Sequence, residues 1–369
     1  MKKESPFTPE EIDALPTILD VVEKISAIEN DLVRPVITQV PSPSYFDEGR
    51  YSFVSERQNR NVVHLMPMSQ SPFRYYRGQS TYYEPCLATL FRGKKKGEEP
   101  TDEEVIAKLI KVCEFVLLLR KHPVYYVVAQ NIMANPVALA QHYGLSTEYL
   151  DVTNSKWVAA FFASSGYDWN TDTYYPVGRN YGDGYGVMYI SKDYIKGNLP
   201  EDFFDKNVVI GYQYFARPTK QSSFGYGMTW RENFNDCPYF EKVFFKHDIE
   251  ASKVVFDMSY RQNRFIPKDK LSKLSRKIQV SDEVTRDAVK LCLERYCNDR
   301  EMAFMDEVCK KQGLKIREDN TPIAAFEEAD LAADWKEWME FGKADIEART
   351  LPIIPVATLS LDELDKNDD

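Results

Sequence analysis

The chain has 369 residues, of which 43% are hydrophobic and 28% charged, so it is long enough and apolar enough to bury a substantial core. The formal net charge of −10 argues against direct nucleic-acid binding, which needs clustered cations, but it allows a local basic pocket for a small anion. Aromatic residues make up 13% of the chain, a composition that suits half-buried strands and a lined groove.

The sequence shows no pattern of a secreted, membrane or metal-binding protein. Its amino-terminal lysines are not followed by an apolar stretch, so we expect no signal peptide. No window contains 18 consecutive apolar residues, and we therefore expect no membrane segment and a cytoplasmic location. The six cysteines form no CxxC pair and the four histidines show no zinc-ligand spacing, so we expect free thiols and no bound metal.

Helix and strand signals follow one another through the first 165 residues. Capping residues, prolines at first helical positions and apolar periodicity predict helices beginning at Thr8 and running over 17–29, 102–121, 135–144 and 155–164. The last of these is apolar nearly all round, which predicts a buried helix. Aromatic and β-branched residues predict short strands at 73–77 and 149–152.

The pattern changes along the second half of the chain. Residues 166–184 are rich in Gly, Asp, Asn and Tyr, which predicts a long exposed loop. Strands are predicted at 185–191 and 207–216, and the short apolar pieces over 240–258 also suit strands. Beyond about 268 the spacing is that of amphipathic helices, which we place at 282–297, 299–312 and 330–343.

These elements predict an α+β protein with a small, mostly antiparallel central sheet and flanking helices. We expect an α/β domain over 1–280, with its core at about 17–260, followed by a helical region over 281–360. The acidic residues at 361–369 predict a disordered tail.

The first polar group with chemical potential is Arg77, which ends a predicted strand and is followed by Gly78 and Gln79. A glycine lets the backbone turn, so the arginine can present its planar guanidinium group to a phosphate or a carboxylate. The alternative is a structural arginine paired with a core acid. A bidentate pair with the carboxylate of Asp151 would indicate that structural role for both residues.

A second polar run lies where a predicted helix, a strand and a buried helix meet. It contains His142, Tyr143, Thr147, Asp151 and Thr153. Asp151 and Thr153 come just before the buried helix, so they either cap its free N–H groups or line a pocket. His142 lies at the carboxyl end of a helix, where the helix dipole favours a charged imidazole.

A third polar run, residues 217–224, follows a predicted strand and offers the amide of Gln221, two hydroxyl groups and two cations. Other signatures are missing from the sequence. It contains no GxGxxG or Walker A run, and no GxSxG, HExxH or EF-hand pattern.

Together these runs resemble the FRG-domain family, which is named for its Phe/Tyr-Arg-Gly motif and is mostly bacterial and phage-associated. The resemblance covers about residues 17–260, and the departures are Glu148 in place of the family's Arg and Val152 in place of its Trp. The run around Gln221 is similar to a later family motif without its glycine. The segments that carry the resemblance are Tyr76 to Ser80, Leu87 to Arg92, Ala140 to Thr153 and Val158 to Ala163.

The order of these motifs is also similar to that of ADP-ribosyltransferases, at the level of plan only. That likeness implies an enzyme that takes NAD as substrate and transfers ADP-ribose to a protein acceptor, or hydrolyses NAD. Arg77 would then hold the pyrophosphate or a ribose, Thr153 or Thr147 would shape the nicotinamide pocket, and Tyr143 would stack on a ring. Gln221 would replace the glutamate that usually grips the nicotinamide ribose.

Because the reaction centre develops positive charge, a carboxylate would support it better than an amide, and Glu148 or Glu241 is the alternative source. The second hypothesis is a module that binds a nucleotide-like signal without chemistry, in a defence or stress system; the third is a structural scaffold. On the first two hypotheses, ligand-binding roles are expected for Gly78, Gln79, His142, Tyr143, Thr147 and Asp151. Both hypotheses expect Arg77, Tyr143, Thr153 and Gln221 to converge on one concave pocket.

Overall fold

The computed structural model describes residues 6–31, 51–55, 63–67, 74–95, 98–126, 135–192, 206–210, 214–267 and 269–342. Strands and helices alternate along this part of the chain, which confirms the predicted α+β class. The predicted tail at 361–369 and the end of the predicted helical region lie outside the described residues. Among the helices that the structure describes, none has the length and apolar character needed to cross a bilayer.

The strands are mostly short, as the sequence predicted. In chain order they are β1 (Tyr51–Ser55), β2 (Val63–Pro67), β3 (Tyr76–Gln79), β4 (Tyr149–Thr153), β5 (Ser165–Asp168), β6 (Thr173–Pro176), β7 (Tyr185–Ser191), β8 (Asn207–Val209), β9 (Ser223–Gly227), β10 (Phe240–Lys246), β11 (Glu283–Thr285) and β12 (Lys315–Arg317).

The α-helices begin at the caps that the sequence indicated for several of them. They are α1 (Pro9–Ala14), α2 (Ile18–Asp31), α3 (Asp102–Arg120), α4 (Pro136–His142), α5 (Lys156–Ala163), α6 (Ala216–Lys220), α7 (Ile249–Met258), α8 (Lys270–Val280), α9 (Arg286–Tyr296), α10 (Met302–Lys311) and α11 (Glu328–Glu337). Thr101 and Glu104 form the predicted capping box of α3, and Asn135 accepts from the first N–H groups of α4.

The central sheet has the strand order β10-β7-β3-β4-β9-β8, and every neighbouring pair is antiparallel. The pairing of β3 with β4 is the shortest in the sheet, because only Tyr76 and Thr153 lie opposite each other. The two polar motifs of the sequence therefore lie on adjacent strands at the centre of the sheet.

Successive side chains of a strand point to opposite faces, and β3 shows this directly. Tyr76 packs in a hydrophobic cluster with α2, α5 and α7, and Gly78 lies against Ala159 of α5. We call this side the helix face. Arg77 and Gln79 point to the other side, which we call the arginine face.

The core continues beyond the sheet into the carboxyl-terminal helices. One cluster of buried residues joins α3 and α4 to α8, α9 and α10. Ile110, Cys113 and Phe115 of α3 are fully buried in this cluster together with Val289 and Cys292 of α9. Helices α8, α9 and α10 thus share one apolar core with α3 and α4.

Three predicted elements are wrong in part. The predicted loop over 166–184 contains the β5–β6 hairpin, where Tyr167 lies opposite Tyr174. Of the predicted strand at 207–216, residues Asn207–Val209 form β8 and the chain enters α6 at Ala216, whereas residues 211–213 lie outside the described part. The segment 240–258 is a strand only as far as Lys246, because the side chain of Asp248 accepts from the N–H of Ala251 and begins α7.

Candidate functional site

Arg77 bridges the strands on either side of the short pairing in the sheet. Its Nη1 atom donates to the main-chain oxygen of Asp151, 2.7 Å away. The contact is therefore a single bond to the backbone of β4, and not the bidentate pair with the Asp151 carboxylate that would have indicated a structural ion pair. The Nε atom of Arg77 is buried without a hydrogen-bond partner. Arg77 as a whole is half-buried.

A second arginine, Arg92, lies close enough to Arg77 for the two charges to interact. Burial and then the Arg77 guanidinium lower the pKa of Arg92. Its Nε and Nη2 atoms both donate to the main-chain oxygen of Leu87, at 2.9 and 2.7 Å. In the part of the chain that the structure describes, neither guanidinium group has a carboxylate within ion-pair distance.

The floor beside Arg77 consists of neutral polar groups. The amide nitrogen of Gln79 lies 3.5 Å from the Cys86 sulfur, and both side chains are buried. The hydroxyl group of Tyr189 donates to the Asn235 side chain at 2.6 Å, and burial raises its pKa above the ordinary value for tyrosine. Asn235 also donates to Glu84 Oε2 at 2.9 Å, so a carboxylate joins this network one residue beyond Tyr189.

Exposed aromatic rings flank the second arginine. The Arg92 guanidinium lies 6.0 Å from the ring centroid of Tyr83, and 42% of Tyr83 is exposed. Phe91 contacts the exposed Trp230 edge-on, with their ring centroids 5.6 Å apart. The arginine face therefore combines cationic groups with accessible flat rings.

Most of the other predicted site residues lie around His142 at the end of α4. His142 Nδ1 lies 2.9 Å from Gln221 Oε1, and Gln221 Nε2 donates to the main-chain oxygen of Phe265 at 3.0 Å. Gln221 is only 4% exposed. Both ends of its amide are thus engaged by protein groups inside the core.

Asp151 is the residue of this cluster whose side chain reaches the surface. Its Oδ1 atom lies 3.3 Å from His142 Nε2, yet neither atom has a partner in a hydrogen bond of normal geometry. The side chain of Asp151 is 41% exposed, whereas that of His142 is 3% exposed. A buried imidazole therefore supports a carboxyl group that is open to solvent.

The two predicted threonines have structural partners. Thr153 Oγ1 donates to the main-chain oxygen of Gln221 at 2.7 Å and accepts from the N–H of Ser155. Thr147 is fully buried, and its hydroxyl group donates to Gln141 Oε1 at 3.0 Å. Both hydroxyl groups thus hold neighbouring segments of chain together.

Tyr143 is enclosed between two charged side chains. The Arg217 guanidinium lies over its ring at 4.8 Å, and its hydroxyl group donates to Asp269 Oδ2 at 2.5 Å. Burial and the Asp269 carboxylate raise its pKa well above the ordinary value. Only 3% of Tyr143 is exposed, so its ring faces protein atoms and not an open groove.

The structure therefore brings the predicted residues together in two groups. Arg77 and Gln79 lie on the arginine face, and Tyr143, Thr153 and Gln221 lie on the helix face with His142 and Asp151. Strand β4 separates the two groups, because Leu150 and Val152 pack in the cluster that contains Tyr189 while Asp151 and Thr153 point the other way. The catalytic and ligand-binding roles expected for these residues remain predictions.

Two features of the arginine face were not singled out as functional from the sequence. In the sequence, Arg92 is the last residue of a family segment and Cys86 is a free thiol, and neither lies in a pattern that predicts a function. Cys86 and Arg92 come soon after the Arg77 motif, on a segment that returns across the same side of the sheet. That position is the feature that could have indicated a functional role. Glu148, an alternative source of charge, has a buried Oε2 atom without a partner, and burial raises its pKa.

Comparison with known proteins identifies the domain that contains these motifs. Neither a curated protein nor a solved structure matches the chain. A family model described as the FRG domain matches residues 73–171, a span that includes β3, α4, β4 and α5 and therefore both Arg77 and the His142–Asp151 pair. The chain therefore contains an FRG domain over residues 73–171.

Proposed function

We propose that this protein binds a phosphate-bearing, nucleotide-type ligand on the arginine face and acts as a binding module. The observation that carries the proposal is the pair Arg77 and Arg92, two neighbouring guanidinium groups whose hydrogen bonds to the described residues all go to main-chain oxygens. Adjacent like charges without a carboxylate are unfavourable until an anion lies between them.

The remaining hydrogen-bond capacity of these arginines fits a phosphate group. A guanidinium group has five N–H donors, and Arg77 directs one of them to Asp151 while its Nε finds no partner. Arginine forks pair with phosphate oxygens through two parallel bonds, which are stronger than bonds between neutral groups. A phosphate beside Arg77 would engage Nη donors other than the one that bonds Asp151, since Nε itself is buried.

The nucleotide part of the proposal is supported by the rings beside Arg92. Tyr83 and Trp230 are exposed, and flat amphipathic rings next to a cation are suited to stacking against a base. NAD, as a dinucleotide, belongs to the ligand class that this arrangement favours.

The placement of the predicted catalytic residues favours binding over ADP-ribosyl transfer. Gln221 and Thr153, which that reaction would use, are buried and hydrogen-bonded within the protein. They also lie on the helix face, behind β4 as seen from Arg77. A ligand held by Arg77 and Arg92 would not meet the amide of Gln221 without rearrangement of the sheet.

The test is a titration of the protein with ATP, NAD, ADP-ribose and inorganic phosphate, followed by calorimetry and by thermal melting. We expect at least one of the nucleotides to bind more tightly than phosphate alone and to raise the melting temperature. Arg92→Gln should weaken that binding by about tenfold or more, since it removes a charge-assisted bond. The matched control is Arg231→Gln, an exposed arginine whose guanidinium already pairs with Glu99.

Two results would count against the proposal. Binding that is equal in the wild-type protein and in Arg92→Gln would remove the arginine face from the ligand site. Release of nicotinamide from NAD that disappears in Arg77→Ala, with the fold intact, would establish an enzyme in place of a binding module.

A further inference from the structure

We propose that Lys108 of α3 is a positioning residue of the arginine face, because it holds the short turn from which Arg92 projects. The inference rests on the function proposed above only where it concerns ligand affinity. Its structural part, the hold of Lys108 on residues 89–92, stands on hydrogen bonds within the protein and is tested without a ligand.

The ammonium group of Lys108 is surrounded by main-chain oxygens of this turn. Its Nζ atom donates to the oxygens of Thr89, Leu90 and Arg92, at 3.2, 3.0 and 2.5 Å. An ammonium group has three hydrogens and no lone pair, so three acceptors use its whole capacity. Lys108 therefore binds the turn and has no donor left for an anion.

The turn depends on such a partner because it is too short to hold its own shape. Thr89–Phe91 is a single turn of 3₁₀-helix, and a turn of this length leaves most of its oxygens without partners in the turn itself. The N–H of Leu90 donates to the main-chain oxygen of Thr147 at 3.1 Å, which fixes the beginning of the turn. A cation at the other end also meets the negative end of the peptide dipoles. Lys108 thus supplies both hydrogen bonds and charge at that end.

The shape of the turn decides where the guanidinium group of Arg92 lies. Leu90 is buried, which anchors the middle of the turn in the core. The side chain of Arg92 folds back, and its Nε and Nη2 atoms donate to the oxygen of Leu87, which precedes the turn. This side chain therefore spans the turn and keeps its place only while the turn is held. A guanidinium group that is fixed in advance loses less entropy when an anion binds.

The same hydrogen bonds favour the charged form of Lys108. A neutral amine would direct a lone pair at a carbonyl oxygen, which can only accept. Burial lowers the pKa of Lys108, and the Glu104 carboxylate one turn earlier opposes that shift. The positive charges of Arg92 and Lys94 lower this pKa further. Lys108 is thus a further positive charge near Arg92, and it adds to the attraction for an anion without touching it.

Lys111 is a matched control one turn further along α3. It is half-buried like Lys108, and burial lowers its pKa as well. Its Nζ atom donates to the main-chain oxygens of Gln279 and Ser281, at 2.5 and 3.0 Å. The two lysines make the same kind of contact with different segments. Variants at the two positions therefore separate a hold on Arg92 from the general loss of a half-buried cation.

The ligand-free test is amide hydrogen exchange of the full chain, followed by mass spectrometry. We expect Lys108→Met to speed exchange in peptides over residues 87–92 by about tenfold and to leave peptides over residues 278–283 unchanged. Lys111→Met should have the opposite pattern. Unchanged exchange over residues 87–92 in Lys108→Met would overturn the proposal. If Lys108→Met does not fold, Lys108→Gln, which also removes the charge, takes its place.

The ligand test is a calorimetric titration with ATP. We expect Lys108→Met to weaken ATP binding by about fivefold or more and Lys111→Met to leave it unchanged. Lys108→Arg should restore most of the affinity, because a guanidinium group can donate to the same oxygens. ATP binding as tight in Lys108→Met as in the wild-type protein would overturn the role of Lys108 in positioning Arg92, even if the turn exchanges faster.

Failure of the proposed function gives a different result. In that case the wild-type protein binds none of ATP, NAD, ADP-ribose and inorganic phosphate. The exchange measurement alone then decides whether Lys108 holds the turn.

Discussion

An ideal β-carbon built on Gly78 would lie 1.8 Å from the main-chain oxygen of Ala159, because α5 rests directly on β3 at this point. The same β-carbon would lie 2.9 Å from the Cβ of Ala163. The glycine of the family motif therefore has a packing role, since it lets a helix backbone approach the strand that carries Arg77. The approach directs Tyr76 and Gly78 to the helix face and leaves Arg77 on the other.

We expect Gly78→Ala to lower the free energy of unfolding by about 3 kcal/mol, because the obstructing atom is backbone and cannot move aside like a side chain. Gly227→Ala on β9 is the matched control. Its added β-carbon would come no closer than 3.5 Å to another atom, so its effect should stay below about 1 kcal/mol. Urea unfolding of both variants measures the difference. If the two variants were equally stable, α5 would not pack as closely on β3 as the Gly78–Ala159 approach requires.

The amide of Gln221 joins three segments of the chain in the core. Gln221→Ala should cost about 2 kcal/mol of unfolding free energy, since it leaves the buried Nδ1 of His142 and the oxygen of Phe265 without partners. Gln312→Ala is the control, because Gln312 makes one exposed bond to Lys94. Chemical denaturation followed by circular dichroism gives both values, and a cost for Gln221→Ala no larger than that of the control would contradict the assigned network.

Gly78 and Gln221 show how much of the site could be predicted from the sequence. The motifs located the correct strands and helices, because capping residues and apolar spacing are local signals. The sequence did not show that Arg77 and Gln221 lie on opposite faces of the sheet. Side chains alternate along Tyr76, Arg77 and Gly78, so the direction of Arg77 could be predicted only if it were known that a helix covers Gly78. The packing of α5 on β3 is a contact between distant segments, and no local pattern encodes it.

The same limit applies to the segment after β10. Short apolar pieces over 240–258 suggested strands throughout, but the capping bond of Asp248 turns the chain into α7. Its apolar residues, including Val255, then pack on the helix face of the sheet. Aspartate before an apolar run is a start signal for helices, and in this segment it outweighs the strand propensity of the apolar residues.

Two buried histidines should make stability depend on pH. His247 Nε2 donates to the oxygen of Ser80 at 2.8 Å while its Nδ1 is buried without a partner, and His122 Nδ1 accepts from the N–H of Tyr125. Burial lowers the pKa of both below the ordinary value of 6.5. The unfolded chain therefore takes up protons first, so this contribution to stability is complete above about pH 6.5 and is lost as the pH falls below it.

We expect the melting temperature to fall between pH 7.5 and pH 5, and His247→Gln to reduce that fall, because glutamine can keep the bond to Ser80 without titrating. Melting curves at several pH values measure both effects. A slope in His247→Gln as steep as in the wild-type protein would show that His247 does not contribute.

The carboxyl-terminal helices share the core of α3, although the predicted domain boundary lies near residue 280. Val289 and Cys292 of α9 and Met305 of α10 are fully buried in the cluster that contains α3. Glu114 of α3 also accepts from the main-chain N–H of Thr285 at the start of α9. Removal of the chain after residue 280 would expose the apolar surface of α3 that these residues cover.

We therefore expect a protein ended after Val280 to be insoluble or to lack a cooperative melting transition, whereas the full chain melts in a single transition through this shared core. Limited proteolysis of the full chain is a second measurement. We expect that no stable fragment ending between α8 and α9 accumulates. A soluble fragment of residues 1–280 with the melting temperature of the full chain would show that the first 280 residues form an independent domain. The apolar cluster between α3 and α9 would then be an interface between two folding units and not a single core.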